Sequence, residues 1–85
     1  MSEQPTVKLY ALSTCGHCKN TKRLLDELGV EYAATEVDLT TGEERKAVVE
    51  EVRQYNPGLT FPTLLIGEVV IIGYKEQEIR GALGK

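Results

Sequence analysis

Residues 6 to 39 place the tightest constraint on what this chain can fold into. "TVKLYAL" (6–12) is an apolar, β-prone run. From Cys15 the pattern turns helical, with Thr21, Leu24, Leu25 and Leu28 at three- and four-residue spacings and Gly29 as a stop signal. "EYAATEVDL" (31–39) then reads as a second strand, carried by Tyr32 and the Val37–Leu39 alternation. A strand, a helix and a strand in that order favour two parallel strands joined by a right-handed crossover. The rest of the chain must fit beside that unit.

Beyond Leu39 the segments are shorter. "TTGEE" offers a Thr-x-x-Glu capping box at Thr41 and Glu44, with Thr40 and Glu43 as the alternative register. The helix after it should turn Ala47, Val48, Val52 and Tyr55 inward and end at Asn56-Pro57-Gly58. "PTLLI" and "VVII", separated by Gly67-Glu68, have hairpin spacing and add two antiparallel strands. A last amphipathic helix, from about Lys75 to Leu83, packs Ile79, Ala82 and Leu83. On the outer face of the first helix, Lys22 and Asp26 are spaced as a weak surface pair, and Lys19 and Arg23 extend that charged face. The order β-α-β-α-β-β-α gives an α/β protein with a four-stranded mixed sheet. Helices should cover both faces, because the strands are apolar on both sides.

Eighty-five residues, 41% of them hydrophobic, make a single domain (residues 1–85) with one modest core. No run of about eighteen apolar residues is present, so no membrane-spanning helix is expected. The polar opening Met1–Thr6 has neither the basic nor the apolar region of a secretory leader. A cytoplasmic monomer is the expectation. A net charge of −3 without a basic run supports neither nucleic-acid nor anionic-membrane binding.

Both cysteines and the single histidine fall in "ALSTCGHCKN" (11–20). Two cysteines are too few for the disulfide framework of a small secreted domain. A C-x-x-C loop is also too short for its closure to restrain the unfolded chain much. Chemistry is the better use for such a pair. Cys15 falls at the end of the first strand and the opening turn of the first helix, where backbone N–H groups lack intrahelical partners and the helix dipole is positive. That setting stabilises a thiolate. Cys18 lies one turn later, with its sulfur further inside. Cys15 is therefore expected to attack and Cys18 to resolve. His17, between them, is expected to favour the Cys15 thiolate and raise the reduction potential.

The strand followed by "STCGHCKNTKRLLDELG", the second strand ending in "VDL", and "TFPTLLIGEVVIIGY" together resemble the glutaredoxin branch of the thioredoxin superfamily, over about Val7 to Leu83. The resemblance implies a thioredoxin-like fold and thiol–disulfide oxidoreductase activity on protein disulfides or glutathione mixed disulfides. It makes Pro62 a cis-proline facing the dithiol and gives the Phe61 backbone strand-like hydrogen bonds to a bound thiol substrate. Thr60, Phe61, Pro62, Gly73, Tyr74 and Glu76 are the binding residues it implies; Lys19 and Arg53 are further candidates for a carboxylate.

The resemblance is incomplete where glutathione is concerned. A lysine frequent three residues before the first cysteine is Leu12, the Gly-Gly before the last helix is Ile72-Gly73, and an acidic pair is Lys75-Glu76. The reductant stays open between glutathione and a thioredoxin reductase; in the second case the chain would resemble redoxins that serve ribonucleotide reductase. No tightly bound cofactor is expected. Two readings from other classes stay open: an iron–sulfur or metal carrier, and a non-catalytic interaction domain. A closed zinc site wants four ligands, and only His17 accompanies the two thiols.

Overall fold

The computed structural model describes residues 6–84. Met1–Pro5, most of the polar opening, and Lys85 lie outside the described residues. The elements are β1 (Val7–Ala11), α1 (Gly16–Glu27), β2 (Ala33–Glu36), α2 (Gly42–Tyr55), β3 (Thr63–Ile66), β4 (Val69–Ile72) and α3 (Glu76–Leu83), with one 3₁₀ turn at Val37–Leu39. They form one mixed sheet in the order β2-β1-β3-β4. β1 and β2 run parallel with Ala11 opposite Glu36, and the other two pairs are antiparallel. Among the described residues no helix is long and apolar enough to cross a membrane.

Strand alternation divides the core into two layers. Val7, Leu9 and Ala11 of β1 join Leu64, Ile66 and Ile71 on one face, where Leu24 and Leu25 of α1 and Ile79 of α3 cover them. Tyr10 and Leu65 point the other way and meet Val52 of α2 and Val37. Helices thus cover both faces, as the doubly apolar strands require. The hairpin between β3 and β4 turns at Gly67-Glu68, with a positive φ of 59° at Gly67. Glycine takes that conformation without the penalty a side chain would impose.

Four local expectations need correction. The second strand stops at Glu36 rather than Leu39, because Val37–Leu39 winds into a 3₁₀ turn that buries Val37. Thr41 does occupy the N-cap of α2, but neither capping-box register forms. The next residue, Gly42, has φ of 58°, which takes the chain off the path that brings an N-cap hydroxyl over the Glu44 amide, and the Thr40 hydroxyl instead donates to the Val37 carbonyl at 2.6 Å. On α2 the inward stripe runs through Val48, Val49 and Val52; Ala47 and Tyr55 flank it and are exposed. Finally, Lys22 ignores Asp26 and pairs with Glu36 of β2 at 2.7 Å, while Asp26 accepts from the Tyr32 hydroxyl.

Candidate active site

β1 delivers the chain to the sheet's end, and a short turn later α1 begins. The Cys15 N–H donates to the Leu12 carbonyl at 3.1 Å, closing that turn. Cys15 is itself the N-cap of α1, in extended conformation, so its side chain takes the position that a serine or aspartate usually holds. Its sulfur accepts the Cys18 N–H at 3.2 Å, satisfying one of the orphan donors of the first turn.

The two thiols differ in surroundings. Cys15 is partly exposed, whereas Cys18 is 1% exposed and belongs to the core beneath α1 and α3. Burial, and then hydrogen bonding to Cys15, push the Cys18 thiol up to about 11, against smaller opposing effects of the Leu12 backbone and the Lys22 charge. Cys18 therefore keeps its proton at neutral pH. Both cysteines are free, and the pair is dithiol.

Across from Cys15 stands the segment that precedes β3. The Phe61–Pro62 peptide bond is cis, and the Phe61 carbonyl faces the Cys15 thiol at 4.0 Å. Pro62 is buried, and its carbonyl accepts from the Gly73 N–H at 2.9 Å, which fastens the end of β4 to the same place. Gly73 has φ of 90°, and an added Cβ would meet nothing within 4 Å, so the backbone conformation rather than space selects glycine here. Cys15, Cys18, Phe61, Pro62 and Gly73 thus converge.

The other sequence-predicted residues make contacts of their own. His17 is exposed; its carbonyl accepts from the Thr21 hydroxyl, while neither its imidazole nor the exposed Lys19 ammonium bonds to another described residue. Thr60 is exposed, with its carbonyl turned back to Asn56 and Thr63. Tyr74 packs against the core and, with Glu76, lines a cleft of about 120 Å³ against Asn20, Arg23, Leu24 and Glu27 of α1. The Glu76 carboxylate is already engaged, by Arg80 Nε at 2.9 Å and the Tyr74 hydroxyl at 3.4 Å. Arg53 pairs with its helix neighbour Glu50. Among the described residues no three His, Cys, Asp or Glu side chains are grouped to hold a metal ion.

Two residues that hold the site were not singled out from the sequence. Asn56, a helix-stop signal there, is 5% exposed and knits the loop before β3. Its Nδ2 donates toward the Thr60 carbonyl, the Thr60 hydroxyl and the Thr63 hydroxyl at 3.0–3.1 Å, and its Oδ1 accepts from the Gly58 N–H. Asp38 accepts from Ser13, two residues before the first cysteine. For Asn56 a signal existed: a buried polar residue next to Pro-Gly has to find partners within the adjoining loop.

The glutaredoxin family model matches residues 7–71. Among solved structures, methanoredoxin from Methanosarcina acetivorans superposes with a TM-score of 0.92 at 42% identity, covering 96% of this chain and 87% of that one. A glutaredoxin from Methanosarcina mazei Go1 gives a TM-score of 0.88 at 45% identity, over 99% of this chain and 85% of its own. An uncharacterised glutaredoxin-like 8.6 kDa protein encoded in a rubredoxin operon of Clostridium pasteurianum is 29% identical over 73 residues, 86% of this chain and 91% of that protein. A strand–turn–helix dithiol on a four-stranded mixed sheet, matched in sequence over most of its length, places this chain in the glutaredoxin family, with the thioredoxin-like fold that family shares.

Proposed function

We propose that the protein is a dithiol–disulfide oxidoreductase in which Cys15 is the nucleophile and Cys18 the resolving thiol. The observation that carries this reading is the asymmetry of the pair. One cysteine is partly exposed, and its sulfur caps a helix N-terminus with an N–H pointed at it; the other is buried and stays protonated at neutral pH. In the proposed cycle the Cys15 thiolate attacks a substrate disulfide, forming a mixed disulfide and expelling one substrate thiolate. The expelled thiolate can take the Cys18 proton. Cys18 then attacks the Cys15 sulfur, the second substrate thiolate leaves, and Cys15–Cys18 closes as a disulfide holding the oxidising equivalent. Two electrons and two protons from an external thiol or reductase restore the dithiol. Sulfur carries both electrons, so no tightly bound cofactor enters the cycle. The Phe61 carbonyl, facing Cys15, gives the cysteine-bearing backbone of a substrate an acceptor beside the reacting sulfur.

The substrate class is disulfide-bonded proteins or glutathione mixed disulfides, in a reducing compartment such as the cytoplasm. A reductase-driven cycle is favoured over a glutathione-driven one by the state of Glu76. It is the one acidic residue left in the Lys75-Glu76 pair, and its carboxylate is occupied by Arg80 and Tyr74 rather than open to an ammonium group. Lys75 pairs with Glu78, and Leu12 puts an apolar side chain where a carboxylate-binding lysine would serve. The test is disulfide reduction with glutathione plus glutathione reductase against NADPH plus thioredoxin reductase. Turnover in at least one system is expected, and faster in the second. Silence in both refutes the oxidoreductase reading; activity with glutathione alone refutes the preference for a reductase.

A further inference from the structure

The parallel register of β1 and β2 sets up a contact beyond the ends of both strands. Ala11 lies opposite Glu36, so two residues further on Ser13 comes level with Asp38. The ladder itself cannot continue, because Val37–Leu39 has turned into a 3₁₀ helix and its carbonyls point elsewhere. The Asp38 carboxylate takes over as acceptor: Oδ1 receives the Ser13 N–H at 2.9 Å and Oδ2 the Ser13 hydroxyl at 2.5 Å. These bonds hold its carboxyl below the usual carboxylate range, so the acceptor stays ionised at neutral pH.

The aspartate is itself held. Arg45 of α2 donates to the Asp38 carbonyl at 2.9 Å, and Thr40 closes the 3₁₀ turn through both its N–H and its hydroxyl on Val37. Ser13 lies next to Leu12, whose carbonyl takes the Cys15 N–H, and within the turn that this bond closes. The clamp therefore fixes the turn that makes Cys15 an N-cap. Without it the turn can swing, and the Cys18 N–H loses its aim at the Cys15 sulfur.

From this geometry we infer that Asp38 is a positioning residue for the nucleophile, acting through Ser13 on the Cys15 turn. The inference rests on Cys15 being the reactive thiol. A charge effect would have the opposite sign: a carboxylate near a thiolate disfavours it, so removing Asp38 would speed Cys15 rather than slow it.

The test compares Cys15 alkylation by iodoacetamide at neutral pH, which needs no substrate, in the reduced wild type, Asp38→Ala, Asp38→Asn, Ser13→Ala and the Asp38→Ala/Ser13→Ala double variant. Iodoacetamide reacts with the thiolate, and losing the Cys18 N–H from the Cys15 sulfur disfavours that form, so Asp38→Ala is expected to be about tenfold slower. Asp38→Asn keeps an oxygen for the Ser13 N–H and gains an amide donor for its hydroxyl, and is expected within about threefold of wild type. Ser13→Ala should fall between, and the double variant should be no slower than Asp38→Ala, since both act through one contact. The inference is overturned if Asp38→Ala is unchanged or faster, if Asp38→Asn is as slow as Asp38→Ala, or if the two single effects multiply. Circular dichroism and urea unfolding show which variants are folded; should Asp38→Ala not fold, the Asn and Ser13 variants carry the same test. Failure of the wild type to reduce any disulfide would sink the functional reading while leaving this comparison to stand or fall by itself.

Discussion

Replacing Asn56 with alanine tests how the loop opposite the dithiol is held. Nδ2 has two protons and three acceptors in reach, and Oδ1 takes one N–H, so at most three full hydrogen bonds are lost. At roughly 1 kcal/mol net each the ceiling is about 3 kcal/mol. Thr60 and Gly58 are exposed, so water replaces part of what they lose; the Thr63 hydroxyl, in a residue 0% exposed, gets no such replacement. The expected cost is then about 2 kcal/mol. Urea unfolding of the reduced protein should show it as a shift in midpoint at constant slope. Asn56→Asp sharpens the test, because a carboxylate accepts only and would face the Thr60 carbonyl with no donor. It should be worse than alanine at pH 7. Its handicap should shrink towards pH 4: the buried acid, with its ionised form disfavoured, binds its proton more tightly folded than unfolded, so its stability falls as pH rises. A loss below about 0.5 kcal/mol for Asn56→Ala, or an aspartate variant milder than alanine at pH 7, would refute the account of this loop.

Two further outcomes come from the dithiol itself. The Cys18 thiol is raised from 9.0 to about 11 in the fold, so the folded protein holds a proton that the unfolded chain releases in that window. Stability of the reduced form should fall by on the order of 2 kcal/mol between about pH 9 and about pH 11, and a Cys18→Ser variant should lack that component when both are followed by urea unfolding. His17→Pro removes the imidazole between the cysteines and should make the couple more reducing than the wild type; a redox titration giving an equal or higher potential for the variant would remove that role from His17.

The element order, the mixed sheet and the placing of Cys15 at a strand-to-helix junction were all legible in the sequence, because each rests on local period and on a handful of turn residues. What was not legible depends on distance in the chain. Lys22 finds Glu36, fourteen residues away, rather than its helical neighbour, since the pairing of β1 with β2 brings β2 alongside α1. Val37-Asp38-Leu39 alternates as a strand does, and nothing local announces that Asp38 will leave the ladder to bind Ser13, twenty-five residues earlier. Thr41 and Glu44 spell a capping box, but the box needs a helical path between them, and Gly42 departs from it. Asn56 reads as the end of a helix, and only the return of Thr60 and Thr63 gives its amide a purpose.

The central claim is the division of labour between the two thiols, and trapping tests it most directly. A Cys18→Ser variant, reduced and mixed with a disulfide substrate, should accumulate a mixed disulfide mapped by peptide mass spectrometry to Cys15, because no second thiol can release it. The corresponding Cys15→Ser variant should form almost none, since its remaining sulfur is buried and protonated. Equal trapping on Cys18 in the Cys15→Ser variant, or no adduct on Cys15 when Cys18 is absent, would contradict the account.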